Sequence, residues 1–390
     1  MQYCKKCTYP INTVNIQFDD DGVCTGCIAA EEKDTEIDWS QREQDFCDFI
    51  EQRRNINSDY DCIVPVSGGK DSHFQAWFLK NAGFNPLLVT YYTHNYPEIG
   101  EENLNNIGSS IGLDHYIFRP SYQLISKMNK VGFEMTGDMS WHFHCGAWTV
   151  PFQVGVKFKI PTLVYGEHGG IDLTGQFSLH DMPEFTKRQR SEDFLRGFSH
   201  EDFIGKEGIK RSDLSWCVFP SDDEIKKVDL RGIFMGNYVY WDSNKNLEVA
   251  KKCGFKTMPE PFDRTYRDFS NIDDIHENGI KDYLKFVKFG YGRVTDHTSK
   301  DIRLGYISRK KGIELVKKYD HIFPGKSFEH FAKMTNYDFE SFMKVADSFR
   351  DPRVWKISEN NWVKDTIWGG VQKFGEVYLD NESAKRFEQI

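Results

Sequence analysis

The chain has 390 residues, 39% hydrophobic, 15% aromatic and 28% charged, with a formal net charge of -9 and a pI near 5.8. Such a length suggests about two to three domains, and the composition is that of a packed globular chain. The acidic balance argues against a general polyanion binder, which needs a large basic footprint; no apolar run of about 18 residues and no apolar leader after "MQYCKKCTYP" point to the cytoplasm.

Residues 1–30 carry two C-x-x-C knuckles, Cys4 with Cys7 and Cys24 with Cys27, separated by a hydrophilic span. Nine cysteines in a chain without an export signal argue against a disulfide framework. Four thiolates paired two by two suit tetrahedral zinc, because each knuckle turns both sulfurs toward one ion. An iron–sulfur site and unligated thiols are the alternatives. Nothing supplies an open catalytic position, so the ribbon is expected to be structural.

The segment 31–230 changes pattern from about Asp59. Strand-like runs at 62–66, 87–92, 115–119 and 162–165 alternate with amphipathic stretches at 73–81 and 101–111, the signature of a parallel sheet covered by helices. Gly83 and Gly112 stand where helices would end in a left-handed residue, and Pro65 should end the first strand because proline cannot donate to a ladder. Between that strand and the next helix lies Ser67-Gly68-Gly69-Lys70-Asp71-Ser72. Glycines at a helix N-terminus let free N–H groups approach phosphate oxygens, with Lys70, Ser67 and Ser72 adding charge and hydroxyls. The G-x-x-x-x-G-K-[ST] spacing of the usual nucleotide loop is absent.

These six residues resemble the S-G-G-x-D-S signature of the PP-loop ATP pyrophosphatases. The resemblance implies an α/β, adenine nucleotide alpha hydrolase-like domain that binds ATP with magnesium, releases pyrophosphate and passes AMP to a carbonyl oxygen. Lys70 and Asp71 then become the catalytic candidates within the ATP loop. Gly166 and Glu167 in "LVYGEHGG" match a second nucleotide-contacting element of that superfamily in part. Just upstream, His142, His144 and Cys145 cluster in "SWHFHCGAW", a short group that reads as core before it reads as a metal or substrate site.

The third segment, 231–390, is mainly helical by periodicity. Its run from Tyr291 to Arg303, with Arg293, Asp296, His297 and Asp301, suits an anionic or hydroxyl-rich ligand as well as a solvated face.

The order of cysteine pairs, "DCIVPVSGGKDS", "IPTLVYGE", Trp241-Asp242, "FGYGRVTDHTSKDIR" and "VADSFRDPRVW" is similar to the N-acetyl sugar amidotransferase family of bacterial surface-polysaccharide pathways. The resemblance implies conversion of an acetamido group, on a sugar that is nucleotide-linked or free, into an acetamidino group with ATP and ammonia. It makes Tyr291, Arg293, His297, Asp301 and Arg303 sugar-site residues. It also implies a separate glutaminase subunit resembling the glutaminase and cyclase of histidine synthesis, since the chain shows no glutaminase of its own: Cys4 belongs to a knuckle and Cys145 is only a loose candidate nucleophile. Adenylation suits this chemistry, because an amide carbonyl is a poor electrophile with a poor leaving group. A PP-loop tRNA-thiolation enzyme with zinc knuckles is the alternative enzyme, and a nucleotide-sensing zinc scaffold the alternative without catalysis. Neither membrane nor nucleic acid is an expected partner.

Overall fold

The computed structural model describes residues 1–190 and 195–390. Five short strands, β1 (Cys62–Pro65), β2 (Pro86–Tyr91), β3 (His115–Phe118), β4 (Thr162–Tyr165) and β5 (Arg231–Phe234), pair in parallel in the order β3-β2-β1-β4-β5. The first four match the expected runs, and β1 stops at Pro65 as anticipated. The fifth was not anticipated, and it carries the sheet four residues past the boundary drawn at 230/231.

The helices are, in chain order, α1 (Thr25–Thr35), α2 (Trp39–Gln52), α3 (Lys70–Asn81), α4 (Glu98–Ile111), α5 (Tyr122–Thr136), α6 (Trp141–Phe158), α7 (Gly169–Asp172), α8 (Asp222–Val228), α9 (Ser243–Lys252), α10 (Ile275–Phe289), α11 (Arg293–Arg303), α12 (Arg309–Tyr319), α13 (Gly325–Thr335), α14 (Phe339–Ser348) and α15 (Asn381–Ala384). A small antiparallel sheet, β6 (Lys356–Ser358), β7 (Asn361–Asp365) and β8 (Val371–Glu376), lies near the C-terminal end. Gly83 and Gly112 do adopt the left-handed region, with φ of 87° and 73°.

The strands read as continuous apolar runs because both faces of the sheet are covered. Ile63, Leu87, Val89 and Leu163 point into a core shared with α5 and α6, whereas Cys62, Val64, Leu88 and Val164 point into one shared with α2 and α3. The chain runs outward from β1 through β2 to β3, then crosses to place β4 on the other side of β1. Loops leaving the carboxyl ends of β1 and β4 therefore diverge, and the crevice between them is where open α/β sheets bind ligands.

The helical C-terminal region closes over this crevice through α11. Its N-cap is Gly292, which has no side chain to satisfy the first N–H groups. Asp320, at the end of α12, does so instead: it accepts from Gly292 N (2.7 Å), Thr295 N (3.1 Å) and Thr295 Oγ1 (2.8 Å). Asp320→Ala removes that borrowed cap and leaves buried donors unpaired, so it is expected to cost about 2 kcal/mol of unfolding free energy by chemical denaturation. Asp320→Asn, which keeps one acceptor, should lose less.

Candidate active site

The loop 67–72 leaves β1 and enters α3 with Gly69 as N-cap. It is tied to itself by Ser67 N–H to Ser72 Oγ (3.0 Å) and Gly69 N–H to Ser67 Oγ (3.4 Å). Gly68 lies at φ 83°, and a Cβ there would stand 2.7 Å from the Cα of Leu104 on α4. Glycine is thus required both for the turn and for the close approach of α4. Lys70 Nζ lies 2.5 Å from Asp71 Oδ2, and Asn246 of α9 donates to Asp71 Oδ1 at 3.0 Å. Burial pushes the Asp71 carboxyl up, but Lys70, Asn246 and Lys300 outweigh it and hold the group below the usual carboxylate range.

The loop forms one end of a cavity of about 450 Å³, a volume in the range of ligand sites. Ser67, Gly69, Lys70, Asp71 and Ser72 line it, as do Gly166 and Glu167 beyond β4. The opposite wall comes from the C-terminal region, through Arg267, Phe269 and Asp273 and through Arg293, Asp296, His297 and Lys300. The last four stand at positions i, i+3, i+4 and i+7 of α11 and so share one helix face.

That face is held by a buried charge network. Arg293 Nε donates to Asp282 Oδ1 (2.9 Å), and Arg264 Nη1 donates to Asp282 Oδ2 (2.7 Å). Lys300 pairs with Glu167, which joins α11 to the β4 loop. Burial works against the Lys300 charge, yet Glu167, Asp172 and Asp71 raise its pKa overall. His297 is pushed well below its ordinary range, first by burial and then by Arg267, Arg293, Arg264 and Lys300, so it is neutral; its Nδ1 lies 2.8 Å from Thr265 Oγ1. Asp273 faces the loop and makes no ion pair among the described residues; burial raises its pKa against the opposing effects of Ser67 and Arg264.

The other face of α11 meets the cysteine module. The four sulfurs of Cys4, Cys7, Cys24 and Cys27 lie within 4.8 Å of one another and are buried. Cys4 and Cys27 are 4.0 Å apart and Cys7 and Cys24 3.5 Å, close to the edge of roughly 3.8 Å that a tetrahedron with Zn–S near 2.3 Å requires. Backbone N–H groups of Cys7 and Cys24 point at Cys4 Sγ (3.4 and 3.3 Å). This donor set fits zinc held for structure, and it is the one group of three or more His, Cys, Asp or Glu residues among those described that could hold a metal. Arg303 places its Nε 3.4 Å from Cys27 Sγ and its Nη2 3.5 Å from Cys24 Sγ, offsetting thiolate charge. A Cβ at Gly26 would run into that Nη2 and stand 2.6 Å from the Leu173 carbonyl oxygen, a backbone atom that cannot swing aside, so glycine is required there.

The residues expected from the sequence thus divide. Of the expected loop residues, Ser67, Gly69, Lys70, Asp71 and Ser72 converge with Gly166, Glu167, Arg293 and His297 on one cavity, which Gly68 does not line. Tyr291 and Arg303 do not line it; Tyr291 packs edge-on to Tyr9 at 6.1 Å within the cysteine-module core, and Arg303 turns to the sulfurs. Asp301 lies behind the wall, where it accepts from Arg267 Nη2 at 2.5 Å and from Tyr266. Helical projection of α11 would have found Lys300, three residues beyond His297. No local signal marked Arg264, Arg267 or Asp273. His142, His144 and Cys145 belong to α6: His142 bonds Tyr91 OH (3.0 Å) and Glu277 Oε2 (3.1 Å), His144 lies 3.1 Å from Arg196 Nη2, and Cys145 is buried with Sγ on Cys217 O.

Fold and cavity together define an α/β protein with a glycine-rich loop at a topological switch point, covered by a helical region that completes the cavity. Residues 263–367, which include α10, α11 and most of the cavity's second wall, match the family described as "LPS biosynthesis protein WbpG-like, C-terminal domain". Residues 1–262 and 368–390 lie outside the match. No curated protein matches the chain. Among solved structures, the NH3-dependent NAD synthetase from Campylobacter jejuni subsp. jejuni NCTC 11168, in complex with the nitrate ion, is similar over 58% of this chain and 100% of its own, with 15% sequence identity and a TM-score of 0.28.

Proposed function

We propose that this chain is an ATP-dependent amidotransferase that adenylates the acetamido carbonyl of an N-acetylated sugar and replaces its oxygen with ammonia-derived nitrogen. The product would be an acetamidino sugar for lipopolysaccharide O-antigen or a related surface glycan. One observation carries the reading: the S-G-G-x-D-S-type loop and the polar face of α11, within the segment that matches an LPS-biosynthesis family, line the same cavity.

In this mechanism the β and γ phosphates of ATP rest on the N–H groups of 67–72 and on Lys70, at the N-terminus of α3. The acetamido oxygen attacks the α phosphorus; the new O–P bond forms as the bond to pyrophosphate breaks. Ammonia then attacks the imidate carbon, and AMP leaves with the C–O electron pair. Arg293, His297 and Lys300 hold the sugar opposite the loop, and positioning and charge neutralisation carry the rate. Magnesium, when bound, neutralises phosphate charge, and Asp71 and Asp273 are the carboxylates beside the loop that would hold it.

The nitrogen source in this reading is a separate glutaminase subunit of the kind that serves histidine synthesis. Cys145 supports this, because it is wholly buried within α6 and lacks the exposed strand-to-helix elbow of a glutaminase nucleophile. We place the reaction in the cytoplasm; among the described residues no helix is long and apolar enough to cross a membrane.

The test is incubation with ATP, magnesium, ammonium and a panel of acetamido sugars, free and UDP-linked. AMP and pyrophosphate are expected, with a product whose mass reflects exchange of oxygen for NH, and glutamine alone should fail to replace ammonium. Lys70→Ala should lower turnover by about a hundredfold or more, the scale for removing one charge-stabilising donor. ADP as product would overturn the mechanism.

A further inference from the structure

Behind the Phe143 and Asp273 wall of the cavity lies a second polar cluster that the mechanism above does not use. Thr93, Asn95, His142, Asp274 and Glu277 are each no more than 4% exposed. Asn95 Nδ2 donates to Glu277 Oε2 (2.8 Å), which also lies 3.1 Å from His142 Nε2, and to the Thr93 carbonyl (3.2 Å). These bonds gather the group, yet Thr93 Oγ1, Asn95 Oδ1, Asp274 Oδ1 and Glu277 Oε1 are buried without a hydrogen-bond partner among the described residues. Leaving such atoms bare is costly, since each unsatisfied buried polar group costs about 1–3 kcal/mol. Burial and the neighbouring Glu277 and Asp273 carboxylates push Asp274 well above the ordinary carboxylate range, against the opposing effects of Lys281 and the Glu277 N–H. Lys281 forms an ion pair with neither carboxylate among the described residues.

What such a site lacks is a small cation with several donors. Ammonium fits: it is about the size of a water molecule, positive, and has four N–H donors for acceptors that include oxygens of Glu277 and Asp274, and its charge would favour ionisation of Asp274. The placement also suits a nitrogen substrate. Asp273 lines the reaction cavity, whereas Ile275, His276 and Gly279 line another cavity of about 500 Å³ that opens outside. Asp274 and Glu277 therefore stand on the stretch of chain that separates the two.

We propose that Thr93, Asn95, Asp274 and Glu277 form a binding site for a monovalent cation, ammonium in the working enzyme, where Glu277 takes one ammonium proton before the nitrogen enters the reaction cavity. The proton passes to a Glu277 carboxylate oxygen, and the nitrogen keeps the electron pair as neutral ammonia. The role of ammonia rests on the amidotransferase reading; the cation site does not.

Rubidium, similar to ammonium in size and charge, is the probe. Crystals of the full chain soaked in rubidium chloride should show an anomalous peak within coordination distance of Asn95 Oδ1 and Glu277 Oε1, suppressed by competing ammonium chloride and absent in Glu277→Gln. The same variant should raise the ammonium KM about tenfold and lower kcat as well, since it loses both a binding contact and the proton acceptor. No peak in wild type, or a peak that Glu277→Gln leaves intact, overturns the cation site. Because the rubidium measurement needs neither ATP nor sugar, a peak accompanied by no amidine product would overturn the amidotransferase reading and keep the site.

Discussion

Replacing Cys4 and Cys24 together by serine is expected to remove about one zinc per chain and to abolish activity in a cavity to which no cysteine contributes. The module of residues 1–30 is too small to build a core of its own, so the ion organises it. The module in turn braces α11. Thr8 Oγ1 lies 2.8 Å from Thr298 Oγ1 and 2.9 Å from Ser299 Oγ, Tyr9 OH donates to Asp296 Oδ1 at 2.9 Å, and Arg309 Nη2 donates to the Cys4 carbonyl at 2.9 Å. Each such bond contributes about 1 kcal/mol, but in the proposed reaction their effect is geometric. They fix the helix whose opposite face carries Arg293, His297 and Lys300, and a shift of about 1 Å in substrate-positioning groups can cost about a hundredfold in rate. Metal analysis, turnover and circular dichroism check this together: zinc lost, activity down at least about a hundredfold, and the parallel sheet retained. Full zinc in the double variant would sink the assignment, and full activity without zinc would remove the brace.

The same helix shows what a sequence can and cannot disclose. Knuckles, the glycine loop and four strands were legible because each is a local pattern with a local physical cause. The polar run at 291–303 was conspicuous by composition, but composition does not assign faces. In the helix, Arg293, Asp296, His297 and Lys300 look into the cavity, Thr298 and Ser299 meet Thr8, and Arg303 has turned to the sulfurs. Strand β5 escaped because "RGIF" opens with a charge and a glycine and is too short for alternation to register. Helix α6 escaped for the opposite reason: apolar on most sides and holding Pro151, it shows no polar face to mark its period. Arg264, Arg267 and Asp273 were beyond reach, since only the folding of their connecting loop against the sheet brings them to the glycine loop.

Gly68→Ala is expected to be the most damaging conservative change in the loop, and Gly69→Ala, one residue away, a mild one. At Gly68 the backbone has φ 83°, which costs an L-residue about 1–2 kcal/mol. The added methyl would also meet backbone, 2.7 Å from Leu104 Cα and 2.8 Å from Leu104 N. Those atoms belong to α4, which is packed against the rest of the domain and cannot retreat as a side chain would. The loop must move instead, and its N–H groups lose their aim at the phosphates. At Gly69, φ is -70° and the nearest atoms to a new Cβ are the Ser67 hydroxyl at 3.3 Å and Asp273 Oδ1 at 3.6 Å, both of which can adjust. Calorimetric titration with magnesium ATP should therefore show Gly68→Ala weakened by about a hundredfold or more, on the scale of a lost set of aligned donors, and Gly69→Ala by less than about tenfold. Circular dichroism should be unchanged in both, because the loop lies at the rim of the sheet and not in its core. Equal affinities in the two variants would mean that α4 yields after all, and that the glycine pair serves flexibility instead of fit.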